Sequence, residues 1–397
     1  MHKPPNANYK ILGPFLLFVL TMTLVSSCTQ STLRSPSPAN TSTAKAVIQP
    51  TTSNPTPHPT NTPTPTVMPV SDTPTPQPPT PSPTAAAALS IPILNLHLSD
   101  PALCAPEGEY TSKDLIYLGP LIDAHVHLEI WGFTYPIEKL ITAMQKAGVV
   151  KFVVHDDPDI AEDAYNKYPD IIIPFVRVSP RKDSALNTIT AALEKGTFYG
   201  VGEISLRHWS KRMDTSHKEP TSIEGQKRKA GGGKGEETPG DSEEMKNILD
   251  IAANSNVPAA IHLDNLYSDE LERLLEHNRS GNIIWSHVGT TPMKMTDPKD
   301  VVRMMEDHPN LYADLSAISP FMHRESLLDT NGVLQKEWGN LLEAYHERFF
   351  FGIDIFLEEH IESVEDEVLY WRKILGQLEP ETARGIGCGN IQEMLNR

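Results

Sequence analysis

Asp123-Ala-His125-Val-His127 closes an apolar stretch that begins near Leu115, and the fold follows from how this run is read. Side chains alternate along a strand, so histidines at i and i+2 share a face and both reach one metal ion. Four later runs end in the same manner: Tyr199-Gly-Val-Gly-Glu203, Val257-Pro-Ala-Ala-Ile-His262, Ile283-Ile-Trp-Ser-His287 and Phe349-Phe-Phe-Gly-Ile-Asp354. Six metal-capable side chains closing short β-branched or aromatic runs are hard to explain by packing alone.

From Leu115 onward, apolar runs of strand length alternate with segments of helical periodicity, the pattern of repeated β-α units and a parallel sheet. Strands are expected near 120–127, 149–155, 171–177, 199–204, 257–262, 282–287, 310–315 and 348–354. Helices are expected over stretches such as Pro136–Lys146, Ser184–Lys195, Ser242–Ser255, Ser268–His277, Asp297–Asp307, Gly332–His346 and Ser363–Leu378. Eight strands close a barrel. No Gly-rich phosphate loop follows the first of them, so a (β/α)8 TIM barrel is expected rather than a doubly wound open sheet. The connection 208–241 breaks the short-loop rule and lacks hydrophobic periodicity. It reads as a flap on the catalytic face or as a neutral insertion.

In such a barrel the C-terminal strand ends meet at one mouth, which would gather His125, His127, Glu203, His262, His287 and Asp354. Neutral imidazoles and carboxylates converging with one coordination position left open lower the pKa of a bound water to about 7. Taken singly, each residue has an ordinary explanation: a histidine on a buried strand is usually a hydrogen-bonded core residue, and Asp354 can cap a turn. Their combination argues for a site. Arg177, at the end of the third strand, and Arg207, just past Glu203, are candidates for holding an anionic substrate group, with solvated surface arginines as the alternative. His155 closes the second strand and reads as a structural histidine.

The order of these motifs resembles the amidohydrolase superfamily of metal-dependent (β/α)8 hydrolases, over about Leu115 to the C-terminus. Gly389-Asn390-Ile-Gln-Glu-Met-Leu395 is similar to the terminal helix of the amidohydrolase-related branch, and Gly200-Val-Gly-Glu-Ile204 to the Gly-x-Gly-Glu segment of the deoxyribonuclease-like branch. The resemblance implies one or two divalent metal ions, zinc foremost. In the two-metal form Glu203 bridges, with His125, His127 and Asp354 on one ion and His262 and His287 on the other. In the one-metal form His125, His127, His262 and Asp354 hold the ion while His287 polarises the substrate. Both forms give Asp354 the proton transfer from water to leaving group. The expected activity is hydrolysis of a C–N, C–O or phosphoester bond in a small molecule. The rivals are non-oxidative decarboxylation and metal or ligand capture without catalysis.

The N-terminus carries Lys3 and Lys10, an apolar segment from Ile11 to about Val25, and Val25-Ser-Ser-Cys28. That core is short for a membrane span and is followed by small residues, as in a signal peptide over 1–27. The cysteine resembles a bacterial lipobox, which implies lipid attachment at Cys28 and an extracytoplasmic protein tethered to a membrane; a processed signal with a chance cysteine is the alternative. Residues 28–90 are rich in Thr, Pro and Ser and are expected to be a disordered spacer. At about 3.1 Å per polyproline II residue it spans on the order of 100 Å.

The whole chain carries a formal charge of −17, and residues 1–90 carry four cations against one acid, which leaves −20 on residues 91–397. So acidic a domain is a poor match for a phosphate backbone, and nucleic acid is not an expected partner. With Cys28 lipidated, Cys104 and Cys388 remain, either as a disulfide between the chain ends or as two buried thiols.

Overall fold

The computed structural model describes residues 96–105, 111–130, 133–207, 238–291, 294–321 and 325–396. Cys28, the signal segment, the spacer and residues 208–237 of the long insertion lie outside the described residues. Eight parallel strands follow one another in sequence order: β1 Leu121–Val126, β2 Val149–Asp156, β3 Ile172–Val176, β4 Gly200–Ser205, β5 Ala259–His262, β6 Ile283–Trp285, β7 Leu311–Asp314 and β8 Phe349–Phe350. The first and last meet through Ala124 N–H to Phe351 O (2.8 Å), His127 N–H to Ile355 O (2.8 Å) and a parallel bridge between Val126 and Ile355. Those bonds close the sheet, and the (β/α)8 barrel is the fold.

Among the described residues, eight helices of nine residues or more alternate with the strands: α1 Ile137–Ala147, α2 Pro158–Lys167, α3 Ala185–Glu194, α4 Glu243–Asn254, α5 Ser268–His277, α6 Pro298–Asp307, α7 Lys336–Ala344 and α8 Val364–Leu375. Their starts follow local chemistry. Ser242 accepts the Met245 N–H and precedes Glu243 and Glu244, which suit the positive end of α4. Asp297 accepts the Lys299 N–H, and Pro298 occupies the first position of α6, where a missing N–H is harmless. Gly148, at φ 80°, ends α1 in a left-handed conformation that disfavours a side chain. α2 fully buries only the small Ala161 and Ala164, with Ile160 and Tyr165 partly buried beside them. α7 begins later than Gly332 because Asp329 accepts the N–H groups of Asn331 and Val333 and holds that stretch as a turn.

One apolar cluster lies between strands and helices. A second fills the barrel and its base, where Ile122, Val153, Phe175, Ile284 and Phe350 meet Leu103, Ile391 and Leu395 from the two ends of the described chain. Cys104 and Cys388 are joined there as a disulfide, with Cα atoms 5.5 Å apart across 284 residues of sequence. Arg372 of α8 is buried and donates to the carbonyls of Tyr117, Gly119, Ala147 and Gly148, tying α8 to the entrance of β1 and the end of α1. No helix among the described residues is long and apolar enough to cross a membrane.

Four strand ends depart from plain alternation, and each carries a candidate ligand. Pairing registers shift between Asp123 and Val126 in β1 and between Val201 and Ile204 in β4, irregularities that re-aim His125 and Glu203. The run toward His287 leaves the ladder at Trp285, and the run toward Asp354 leaves it at Phe350, so both residues sit in turns rather than on strands. Their φ angles of 57° lie in the left-handed region, costly for a residue with a side chain.

Candidate metal centre

The barrel mouth brings all six expected ligands together. His125 Nε2 and His127 Nε2 are 3.2 Å apart. The Glu203 carboxylate lies among four imidazoles: Oε1 is 3.0 Å from His262 Nδ1, 3.3 Å from His287 Nε2 and 3.6 Å from His125 Nε2, and Oε2 is 3.4 Å from His127 Nε2. Asp354 stands across from it. Its Oδ1 is 3.9 Å from both His125 Nε2 and His127 Nε2, and its Oδ2 is 4.0 Å from His287 Nε2. Side-chain exposure runs from 0% at His125 to 13% at Asp354 and 19% at His262, which places the open side of the centre at the last two.

Each inner histidine is held from behind. The Nδ1–H of His127 donates to the His155 carbonyl (2.7 Å), and that of His125 to Asp314 Oδ2 (3.1 Å). His287 Nδ1–H donates to Ser316 Oγ (2.7 Å), because the Ser316 hydroxyl proton is committed to Asp314 Oδ1. In a neutral imidazole one nitrogen donates and the other accepts, so all three Nε2 atoms present lone pairs to the centre. They face carboxylate oxygens, which are also acceptors, and Glu203 Oε1 is buried without a hydrogen bond among the described residues. Acceptors facing acceptors in a buried space require positive charge between them.

The electrostatics agree. Burial raises the Glu203 pKa, but His125 and His262 outweigh it and hold the carboxylate well below its usual range. Burial opposes charge on His125, yet Glu203 and Asp314 push that imidazole well above its usual value; His287 is raised against the same opposition, by Glu203 and Asp354. The residues fit a divalent cation, with His125, His127 and Asp354 forming one group of converging donors and His125, Glu203 and His287 another.

Of the residues that support the centre, Asp314 and Tyr135 went unread in the sequence, Asp123 was quoted without a role, and His155 was read as structural. Asp314 closes β7 and is fully buried; besides His125 and Ser316 it accepts the backbone N–H of His287 (3.0 Å). It ends the run Leu311-Tyr-Ala-Asp314, the same apolar-run-then-carboxylate signal that marked Asp354. Asp123 Oδ1 accepts the N–H groups of His125 and Ile353, joining the first and eighth strands beneath the centre. The Tyr135 hydroxyl donates to the His127 carbonyl. His155 is buried, bonded to the Ala124 carbonyl, and pushed down to about 3 by burial and by His125 and His127, so it stays neutral.

The two arginines lie apart from these bonds. Arg177 donates to Asp156 Oδ1 (3.1 Å) and to the Glu129 carbonyl (2.9 Å), while Asp156 Oδ2 accepts the Leu128 N–H, so the group fastens the loop after β1. Arg207 pairs with Glu270, which also accepts the Gly240 N–H, and lies over the Tyr267 ring. Neither guanidinium contacts a ligand candidate among the described residues.

Solved structures similar to this chain include 5-carboxyvanillate decarboxylase from Sphingomonas paucimobilis, with 11% identity and a TM-score of 0.47 over 70% of this chain and 98% of that one. A TatD homologue from Escherichia coli gives 14% and 0.47 over 70% and 98%, and dihydroorotase from Campylobacter jejuni 14% and 0.44 over 70% and 83%. No curated protein matches by sequence. The amidohydrolase family profile (Amidohydro_2) matches residues 144–397, a span that holds Glu203, His262, His287 and Asp354 and begins after the His125–His127 pair. A match over more than half the chain, on a closed barrel with this mouth, establishes the family: the chain belongs to the amidohydrolases, and it is an enzyme of that type.

Proposed function

We propose that this enzyme hydrolyses a C–N, C–O or phosphoester bond in a small molecule, using two divalent cations bridged by Glu203. The observation that carries the reading is the place of the Glu203 carboxylate between the two pairs of histidines: Oε1 lies nearest His262 and His287 (3.0 and 3.3 Å) and 3.6 Å from His125, while Oε2 lies 3.4 Å from His127. His125, His127 and Asp354 would hold one ion, and His262 and His287 the other. Imidazoles outnumber carboxylates four to two in this set, which favours zinc over magnesium or calcium. When bound, the cations supply Lewis-acid polarisation and a water acidic enough to attack near neutral pH.

The protein's own groups do the rest. Asp354 stands on the open side, where its carboxylate takes up a proton from the attacking water and delivers it to the leaving group. The bond from its N–H to the His125 carbonyl (3.0 Å) holds it facing the histidines. Substrate enters past Asp354 and His262, the two most exposed of the six. Arg177 and Arg207 shape the rim, since Asp156 and Glu270 already match their charge. The Cys104–Cys388 disulfide supports an extracytoplasmic location, where a lipid anchor at Cys28 would hold the protein.

The test is metal analysis of the purified protein together with a panel of esters, lactones, amides, phosphoesters and aromatic carboxylates, monitored for hydrolysis and for CO2. About two ions per chain and hydrolysis abolished by chelation support the reading. One ion that does not depend on Glu203 would favour the mononuclear arrangement, and CO2 release without hydrolysis would make the enzyme a decarboxylase. Full metal with no turnover on any class would leave a binding protein.

A further inference from the structure

We propose that Asp314 is the positioning residue that sets the ligating tautomer in both metal positions, through His125 in one and His287 in the other. The proposal rests on the two-ion reading above. Asp314 does not face the centre itself; it is fully buried behind it. Oδ2 accepts His125 Nδ1–H, while Oδ1 accepts the N–H of His287 (3.0 Å), the N–H of Ser316 (3.1 Å) and the Ser316 hydroxyl, which in turn accepts His287 Nδ1–H (2.7 Å). One carboxylate thereby points the Nε2 lone pairs of two histidines, 162 residues apart in sequence, into one space. A carboxylate behind a ligating histidine fixes its tautomer and raises its basicity, and losing such a partner weakens metal binding about 10–100-fold.

The geometry also fixes how a substitution acts. In Asp314→Asn the amide oxygen must take the Oδ1 place, where three donors converge, so the amide nitrogen falls opposite His125 Nδ1 and drives that ring to its Nε2–H tautomer. Ser316→Ala leaves His125 alone and removes only the acceptor for His287. The experiment is 15N NMR of the histidine rings in metal-free protein, recorded at rising pH until the ring shifts stop changing, together with stepwise zinc titration under chelator competition. The expected wild-type result is Nδ1–H at both His125 and His287 with two zinc steps. Asp314→Asn should switch His125 and weaken one step 10–100-fold; Ser316→Ala should release His287 and weaken the other. Unchanged tautomers with both zinc affinities within twofold of wild type would overturn the proposal, and Ser316→Ala alone decides it should Asp314→Asn not fold. A single zinc step in the wild type would instead refute the two-ion reading beneath it.

Discussion

Replacing Glu203 by glutamine should weaken both the metal-free fold and the hold on metal. The carboxylate is 5% exposed and faces four imidazole nitrogens at 3.0–3.6 Å. In the metal-free protein the carboxylate is an anion that His125 and His262 hold well below its usual pKa, so the charge contributes stability at neutral pH, and a carboxamide that removes it should melt below wild type. In the loaded protein the cations lose their shared anion. A four-ligand zinc site binds with ~10–16 kcal/mol, so one ligand accounts for ~2.5–4 kcal/mol, and at about 1.4 kcal/mol per tenfold the affinity should fall on the order of 10²–10³-fold. The ion on His262 and His287 has the fewest other protein ligands and should leave first. The assay is metal content after dialysis against a weak chelator, with melting curves recorded with and without zinc. A variant that keeps both ions at affinities within threefold of wild type, or whose metal-free form melts at or above the wild-type temperature, would refute this account of the centre.

Asp354→Asn keeps the shape and one ligand oxygen but cannot accept the proton, so turnover should fall by roughly 10² or more with metal still bound; near-normal turnover with metal in place would move the base elsewhere, His287 first. Glu367 of α8 is buried, and desolvation pushes its pKa up to about 8 even though the Ser319 hydroxyl donates to it. Between the unfolded value near 4.5 and about 8 the folded state holds a proton that the unfolded chain has released, so this group subtracts stability as pH rises through that window. Glu367→Gln should therefore be more stable than wild type at pH 8, by up to a few kcal/mol, with the advantage vanishing near pH 4.5; equal melting temperatures at both pH values would contradict it. Raised His125 and His287 pKa values mean that protons compete with metal, so zinc affinity should begin to fall above pH 6.5 on acidification, with proton release on binding measurable by calorimetry in two buffers. Cys28→Ala should release the protein from the membrane fraction with its fold intact; unchanged membrane association would overturn the lipid anchor.

The sequence by itself determined the barrel and the six residues at its mouth. Strand-length apolar runs have one use in a β-α repeat, and a polar, metal-capable residue closing such a run stands out because burial penalises it unless a partner is waiting. Asp314 carried the same mark but had no repeat of its own to announce it, and its worth depends on His125, 189 residues away, and on Ser316 and His287. Only the tertiary structure paired Cys104 with Cys388, engaged Arg177 and Arg207 with Asp156 and Glu270, and displaced His287 and Asp354 from strands into left-handed turns. Alternation along a strand says which face a side chain takes. Which nitrogen of a histidine ligates, and which carboxylate oxygen meets it, is set by bonds between segments that only the closed barrel brings within 3 Å or so of each other.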